Sequence, residues 1–304
     1  MTSAPHVEPP QRLVRFLGAD SPWLARLPGL VRASLARWEL TAERVVSPGG
    51  RGSLVVLVRR ADGSPAALKL RAAGAADEAA ALSRWEGHGA VRLLDAAPED
   101  GALLLERLHA DVSLRSLPDA KATLEAVSAL HRLWVPPASP GAPEDGGHPF
   151  TTVEEHTGRA VEGIRAHVPE EARPLAEEAL ALRSGLLADA PEHVLLHGDF
   201  RQGAVLSADP GRAHWLVVGP DPLVGERAYD LARLVRDRLH DLAAGSGAPA
   251  IARRRVAKLA NSLEVDRDRL RGWSLYRAVE SGARHLAAGE RADGEALLEF
   301  AGWL

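Results

Sequence analysis

The chain has 304 residues, 46% of them hydrophobic and 26% charged, a balance that supports a sizeable core and excludes a disordered, collagenous or small disulfide-framed protein. Lys and Arg total 37 against 41 Asp and Glu, a formal net charge of -4, so no basic excess exists to neutralise a nucleic-acid backbone. The absence of Cys excludes disulfides, thiolate nucleophiles and Cys-ligated zinc, iron-sulfur or haem sites.

The opening residues, Met1 to Pro10, lack the basic start and apolar stretch of a secretion signal, and no later apolar run approaches the ~20 residues of a membrane span. A cytoplasmic protein without a membrane partner is expected. Residues 22 to 39 carry apolar side chains at helical spacing, and Pro28-Gly29 is expected to break the run into two pieces. Three short strands follow as an antiparallel meander, Leu40 to Ser47, Leu54 to Arg59 and Ala66 to Leu70, separated by the glycine-rich Gly49-Gly50-Arg51-Gly52 and the turn Ala61-Asp62-Gly63-Ser64. A helix over 75 to 87 sets Leu82 and Trp85 three apart and stops at Gly87 and Gly89. Strands at Val91 to Ala96 and Leu103 to Leu108 come next.

After a helix at 119 to 135, the Pro- and Gly-rich stretch from Pro136 to Gly147 reads as a surface insertion. Helices are expected beyond it over 151–167, 170–189, 227–243, 249–262, 267–288 and 291–303, with a compact β segment at His193 to Leu206 and Trp215 to Val218. A small β-rich lobe followed by a larger helical lobe makes an α+β, bilobal fold. The lobes are placed at 1–107 and 108–304, with a hinge near Glu106 to His109 and the loop 197–206 in the helical lobe.

The segment His197-Gly198-Asp199-Phe200-Arg201-Gln202-Gly203-Ala204-Val205-Leu206 follows the apolar strand Val194-Leu195-Leu196. With Trp215-Leu216-Val217-Val218-Gly219-Pro220 and Glu226-Arg227-Ala228-Tyr229-Asp230, it resembles the catalytic core of the aminoglycoside phosphotransferases. Pro222-Leu223-Val224-Gly225-Glu226, followed by Ala228-Tyr229-Asp230-Leu231-Ala232, is similar to the streptomycin and hydroxyurea phosphotransferase branch. Matching segments at Leu68-Lys69-Leu70, Leu103 to Leu108 and Leu270-Arg271-Gly272-Trp273 extend the resemblance over nearly the whole chain.

This resemblance implies a protein-kinase-like fold. In a kinase-type site a strand lysine grips phosphates, a helix glutamate holds that lysine, a loop Asp orients the acceptor hydroxyl, and an Asn with a second Asp carries magnesium. Lys69 matches the strand lysine, the alternative being an exposed strand residue, and only Lys121 and Lys258 compete for the role. Glu78 on the following helix matches its partner. Asp199 matches the catalytic Asp, the alternative being an Asx-type loop cap. His197 is expected to support that loop by a hydrogen bond, and Tyr229 and Asp230 to start a scaffold helix behind it. Gly50 and Arg51 are candidate nucleotide-binding residues in a loop that does not complete G-x-G-x-x-G and reads equally as a hairpin turn. Glu106 at the hinge is a further candidate on the nucleotide side.

Two positions depart from the pattern. Where the family's asparagine is expected, five residues after the catalytic Asp, stands Ala204, and where an Asp should precede Pro220 stands Gly219. Neither residue offers a side-chain ligand, so no metal ligand is assigned. Asp221, two residues past Gly219, would be displaced by roughly 7 Å along an extended segment. Arg51 and Arg201 are candidates for fixed positive charge in the metal's place. His193 and His197 are four apart on a strand and form no helical zinc motif.

The reading favoured is a degenerate, pseudokinase-like member of this family in bacterial secondary metabolism. It would bind a small molecule in the interlobe cleft, with Asp199 as acid or base of a non-phosphoryl reaction or only as a ligand anchor, Arg201 and His197 being the other catalytic candidates, and without an assigned cofactor. The alternative is an active ATP-dependent O-phosphotransferase of an aminoglycoside-like or other hydroxylated molecule, serving antibiotic resistance or biosynthesis. Only this alternative calls for ATP and magnesium.

Overall fold

A computed structural model describes residues 7–138, 148–209, 211 and 213–304. The chain opens with α1 (Gln11–Leu17) and α2 (Pro22–Arg37), then β1 (Thr41–Val45), β2 (Ser53–Arg59), β3 (Pro65–Arg71), α3 (Ala75–Trp85), β4 (Leu93–Ala97), β5 (Ala102–Glu106) and β6 (His109–Ser113). It continues through α4 (Asp119–His131), α5 (Val153–Gly158), α6 (Val161–His167), α7 (Arg173–Ala188), β7 (Val194–Leu196), β8 (Val205–Ser207), β9 (Trp215–Val217) and β10 (Leu223–Gly225). The last elements are α8 (Arg227–Val235), α9 (Leu239–Ala243), α10 (Ala248–Leu263), α11 (Arg267–Ala287) and α12 (Arg291–Gly302). Most of the expected surface insertion, 139–147, lies outside the described residues.

Two compact units result, one of residues 1–116 with 205–221, the other of 117–204 with 222–304. The expected boundary after residue 107 falls inside the first unit, and the loop 197–206 is divided between the two. The first unit carries a five-stranded antiparallel sheet in the order β1-β2-β3-β5-β4 and a three-stranded one, β6-β8-β9. Successive side chains of a strand point to opposite faces. Leu54, Val56 and Val58 of β2, Leu68 and Leu70 of β3 and Leu104 of β5 accordingly meet Leu13, Trp23, Leu27 and Val31 from α1 and α2 in one core. Lys69 and Arg71, displaced by one residue from these leucines, are turned to the other face of β3.

Helix α2 runs unbroken through Pro28, against the expected break. Trp23, Leu27 and Val31 recur every four residues and are buried, whereas Pro28 and Gly29 are exposed. Pro28 lies on the exposed side of the helix, and apolar burial on the opposite face offsets the backbone bond it cannot make. The helices expected over 151–167 and 227–243 are each divided in two, and α1, β6 and β10 were not expected.

The second unit is built around α11, buried almost without interruption from Leu270 to Ala283, as the centre of a helical core must be. Helices α6, α7, α8, α10 and α12 pack on it. Strand β7 pairs antiparallel with β10, Leu196 opposite Leu223 and Val194 opposite Gly225. No helix among the described residues is long and apolar enough to cross a membrane.

Candidate functional site

The candidate residues fall into two groups, one in each unit. In the first, Lys69 is central in the sheet, paired with Val55 of β2 and Leu103 of β5. Its Nζ donates to both carboxylate oxygens of Glu78 at 2.7 Å. Glu78 lies in the first turn of α3, where the helix dipole favours a carboxylate, and is fully buried. Burial pulls the Lys69 ammonium below its ordinary range, Glu78 opposing the shift and Arg71 adding to it.

Arg71, unremarked in the sequence, belongs to the same group. Its Nη1 donates to Glu78 Oε2 at 2.7 Å and to the Pro220 carbonyl at 2.9 Å, and its Nη2 reaches Asp221 Oδ1 at 3.4 Å. Gly219, in the turn after β9, has φ +68°, and a Cβ there would stand 3.7 Å from Lys69 Nζ. Spacing was a usable signal for Arg71, since it follows Lys69 by two residues on one strand face.

The other nucleotide-side candidates are placed differently. Gly50 and Arg51 lie between β1 and β2, where a Cβ on Gly50 would come within 2.7 Å of Ser53 Oγ and the Gly49 carbonyl accepts from Arg12 of α1. Gly52 accepts from Ala72 just past β3. Among the described residues no hydrogen bond or ion pair joins Gly50 or Arg51 to Lys69. The Glu106 carboxylate accepts from the Arg92 backbone N–H at 2.7 Å, closing the β4–β5 edge.

In the second unit the loop after β7 is clamped from two helices. Asp230 of α8, fully buried, accepts from the backbone N–H of His197 at 2.9 Å and of Gly198 at 3.0 Å. Arg277 of α11 donates to the Gly198 carbonyl at 2.7 Å and to that of Tyr229 at 3.0 Å, its guanidinium lying over the Tyr229 ring. The Asp199 N–H donates to His197 Nδ1 at 3.3 Å, the supporting bond expected of that histidine. Gly198 has φ +79°, a conformation that suits glycine at this sharp turn.

Asp199 projects from this clamped loop with 45% of its side chain exposed. Arg201 Nε lies 3.2 Å from one carboxylate oxygen and Arg233 Nε 3.4 Å from the other. Partial burial alone would raise its pKa, but Arg233, then Arg201 and Arg277, outweigh it and hold the carboxyl well below the usual carboxylate range. A carboxylate so held accepts hydrogen bonds and carries no proton to donate near neutral pH. Arg233 was missed by sequence reasoning, although it lies one helical turn from Asp230 on the same helix.

Two positions in these loops offer no side-chain ligand to a divalent cation. Ala204, buried in the short 3-10 turn Gln202–Ala204, and Gly219 bring no side-chain oxygen. Of the two carboxylates nearby in sequence, Asp199 is engaged by Arg201 and Arg233, whereas Asp221, largely exposed, is only loosely held by Arg71 at 3.4 Å. Hard cations need anionic or carbonyl oxygens free to converge on them.

Residues 37–289 match the family described as aminoglycoside/hydroxyurea antibiotic resistance kinase. The chain is 35% identical over 288 residues to the streptomycin 6-kinase of Streptomyces glaucescens, covering 92% of each. It is 37% identical over 294 residues to the hydroxyurea phosphotransferase of Kitasatospora aureofaciens, covering 90% of this chain and 79% of that one. Its fold is similar to that of the crystal structure of the aminoglycoside phosphotransferase APH(4)-Ia, with a TM-score of 0.59 at 17% identity over 91% of this chain and 97% of the other. The chain belongs to the family of aminoglycoside/hydroxyurea antibiotic resistance kinases.

Proposed function

We propose that this protein is a small-molecule O-phosphotransferase that takes a nucleoside triphosphate as donor and a hydroxylated molecule as acceptor. The observation that carries this reading is the bidentate, buried Lys69–Glu78 pair, the arrangement by which kinase-type sites present a lysine to phosphates. Asp199 has the complementary role. Kept ionised, it accepts the acceptor's hydroxyl hydrogen and points that oxygen at the γ-phosphorus; the new P–O bond forms as the bond to the ADP oxygen breaks, and the proton passes to water. The same ionisation disfavours Asp199 as the general acid of a non-phosphoryl reaction. The relatives include a streptomycin 6-kinase and a hydroxyurea phosphotransferase, so aminoglycosides and small N-hydroxy compounds head the acceptors to try.

A second reading, binding without transfer, is favoured by Ala204 and Gly219 standing where the family's metal ligands are expected. Incubation with γ-labelled ATP and a panel of streptomycin, hydroxyurea and related hydroxylated molecules separates the two. Label on an acceptor, lowered about 10²-fold or more by Asp199→Asn, is the expected result. Nucleotide binding with no transfer to any acceptor would leave the binding-only reading.

A further inference from the structure

We propose that the Lys69–Arg71 face of β3 is a polyphosphate site that works without a divalent metal, Arg71 supplying the second cation. This deepens the function proposed above and rests on its assignment of Lys69 to the phosphates. Two cations, Lys69 and Arg71, converge on the single carboxylate Glu78, each at 2.7 Å, which leaves one positive charge in excess. The carboxylate that could cancel it, Asp221, is held loosely at 3.4 Å and is 65% exposed. Solvated pairs of this kind contribute little, so an incoming phosphate displaces Asp221 at small cost.

The position of Arg71 is built rather than incidental. Its backbone N–H donates to the Gly101 carbonyl at 2.8 Å, and a Cβ on Gly101 would come within 2.5 Å of the Arg71 carbonyl oxygen. A Cβ on Gly74 would stand 3.2 Å from Arg71 Nη2, and the Pro220 carbonyl fixes Nη1. Gly219 places no side chain beside Lys69 Nζ, where a Cβ would stand 3.7 Å away. A planar guanidinium offers a phosphate two parallel hydrogen bonds and fixed charge, so it can neutralise phosphate oxygens in the absence of a metal ion.

Calorimetric titration of the full chain with ATP tests this, run once with EDTA and once with excess magnesium. The affinity in EDTA is expected to equal or exceed that in magnesium, which sequesters the phosphate oxygens Arg71 would engage. Arg71→Gln is expected to weaken metal-free binding about tenfold or more, the loss of one charge-assisted bond. Asp221→Asn, an exposed change that leaves the fold intact, is expected to tighten it by removing the competitor. Binding seen only with magnesium, or an Arg71→Gln affinity equal to the parent's in a variant with the parent's melting curve, overturns the metal-independent site while leaving the phosphotransferase reading standing. Absence of ATP binding in both buffers overturns the phosphotransferase reading, and this site with it.

Discussion

Asp199 retains its charge because Arg233 and Arg201 close on its two oxygens, and that ionisation is testable apart from any activity. Removing one guanidinium lets burial, which favours the neutral acid, regain ground. In Arg233→Gln the Asp199 carboxyl pKa is expected to rise, read from the pH dependence of its side-chain carbon resonance by NMR; an unmoved titration would show that Arg233 does not hold the charge. The sign for stability follows. A carboxyl depressed on folding adds stability that is fully present above its unfolded pKa, about 3.9, and is lost as the pH falls through the lower folded value. The Lys69–Glu78 contact was legible in the sequence, because a strand lysine is followed by a carboxylate on the next helix and lysine is scarce, with three among 37 basic residues. Arg71, Arg233 and Arg277 were not, since in so arginine-rich a chain the residue type carries no signal and only the strand face or helix turn singles them out.

Among the elements, the loop after β7 depends on α8 more than on its own residues. Two buried backbone N–H groups have the Asp230 carboxylate as their acceptor, and a buried donor left without a partner costs about 1–3 kcal/mol. Asp230→Ala is therefore expected to lower unfolding free energy by about 3 kcal/mol or more in urea denaturation, and Asp230→Asn, which keeps one acceptor, by less. Helix α2 supplies an opposite case. Because it runs unbroken through Pro28, Pro28→Ala is expected to restore one helical bond at an exposed position and raise the melting temperature, the helix gain of about 3 kcal/mol being reduced by the freer unfolded chain. A broken helix there would gain nothing. The strands β2 and β3 and helix α3 were readable because period 2 and period 3.6 were clean between glycine turns. The short β6 and β10 were not, for they are stabilised by pairing with β8 and β7, partners that sequence-local patterns do not reveal.

For the whole molecule, the α+β division was visible in the change of periodicity along the chain, whereas the membership of 205–221 was not. That segment follows the clamped loop directly in sequence, yet its β8 pairs with β6, and its β9 exchanges bonds with Gly89 and Val91. A fragment ending at Ser116 thus keeps β6 without its partner strand and lacks the turn that carries Pro220 to Arg71. Such a fragment is expected to be insoluble or protease-sensitive, while the full chain resists limited proteolysis in its sheets.

The discontinuity also has a consequence on the ribosome. The first unit cannot complete itself when its own main stretch has emerged, because its last two strands are encoded about a hundred codons later; at a synthesis rate of about 5–20 residues per second β6 waits roughly 5–20 s for β8 and β9, its partners in the three-stranded sheet. During that interval the Lys69–Glu78 pair can form, since β3 and α3 are already present, but Arg71 has no Pro220 carbonyl to dock on. The position of Arg71 is thus completed late in translation, by the peptide that follows the loop after β7.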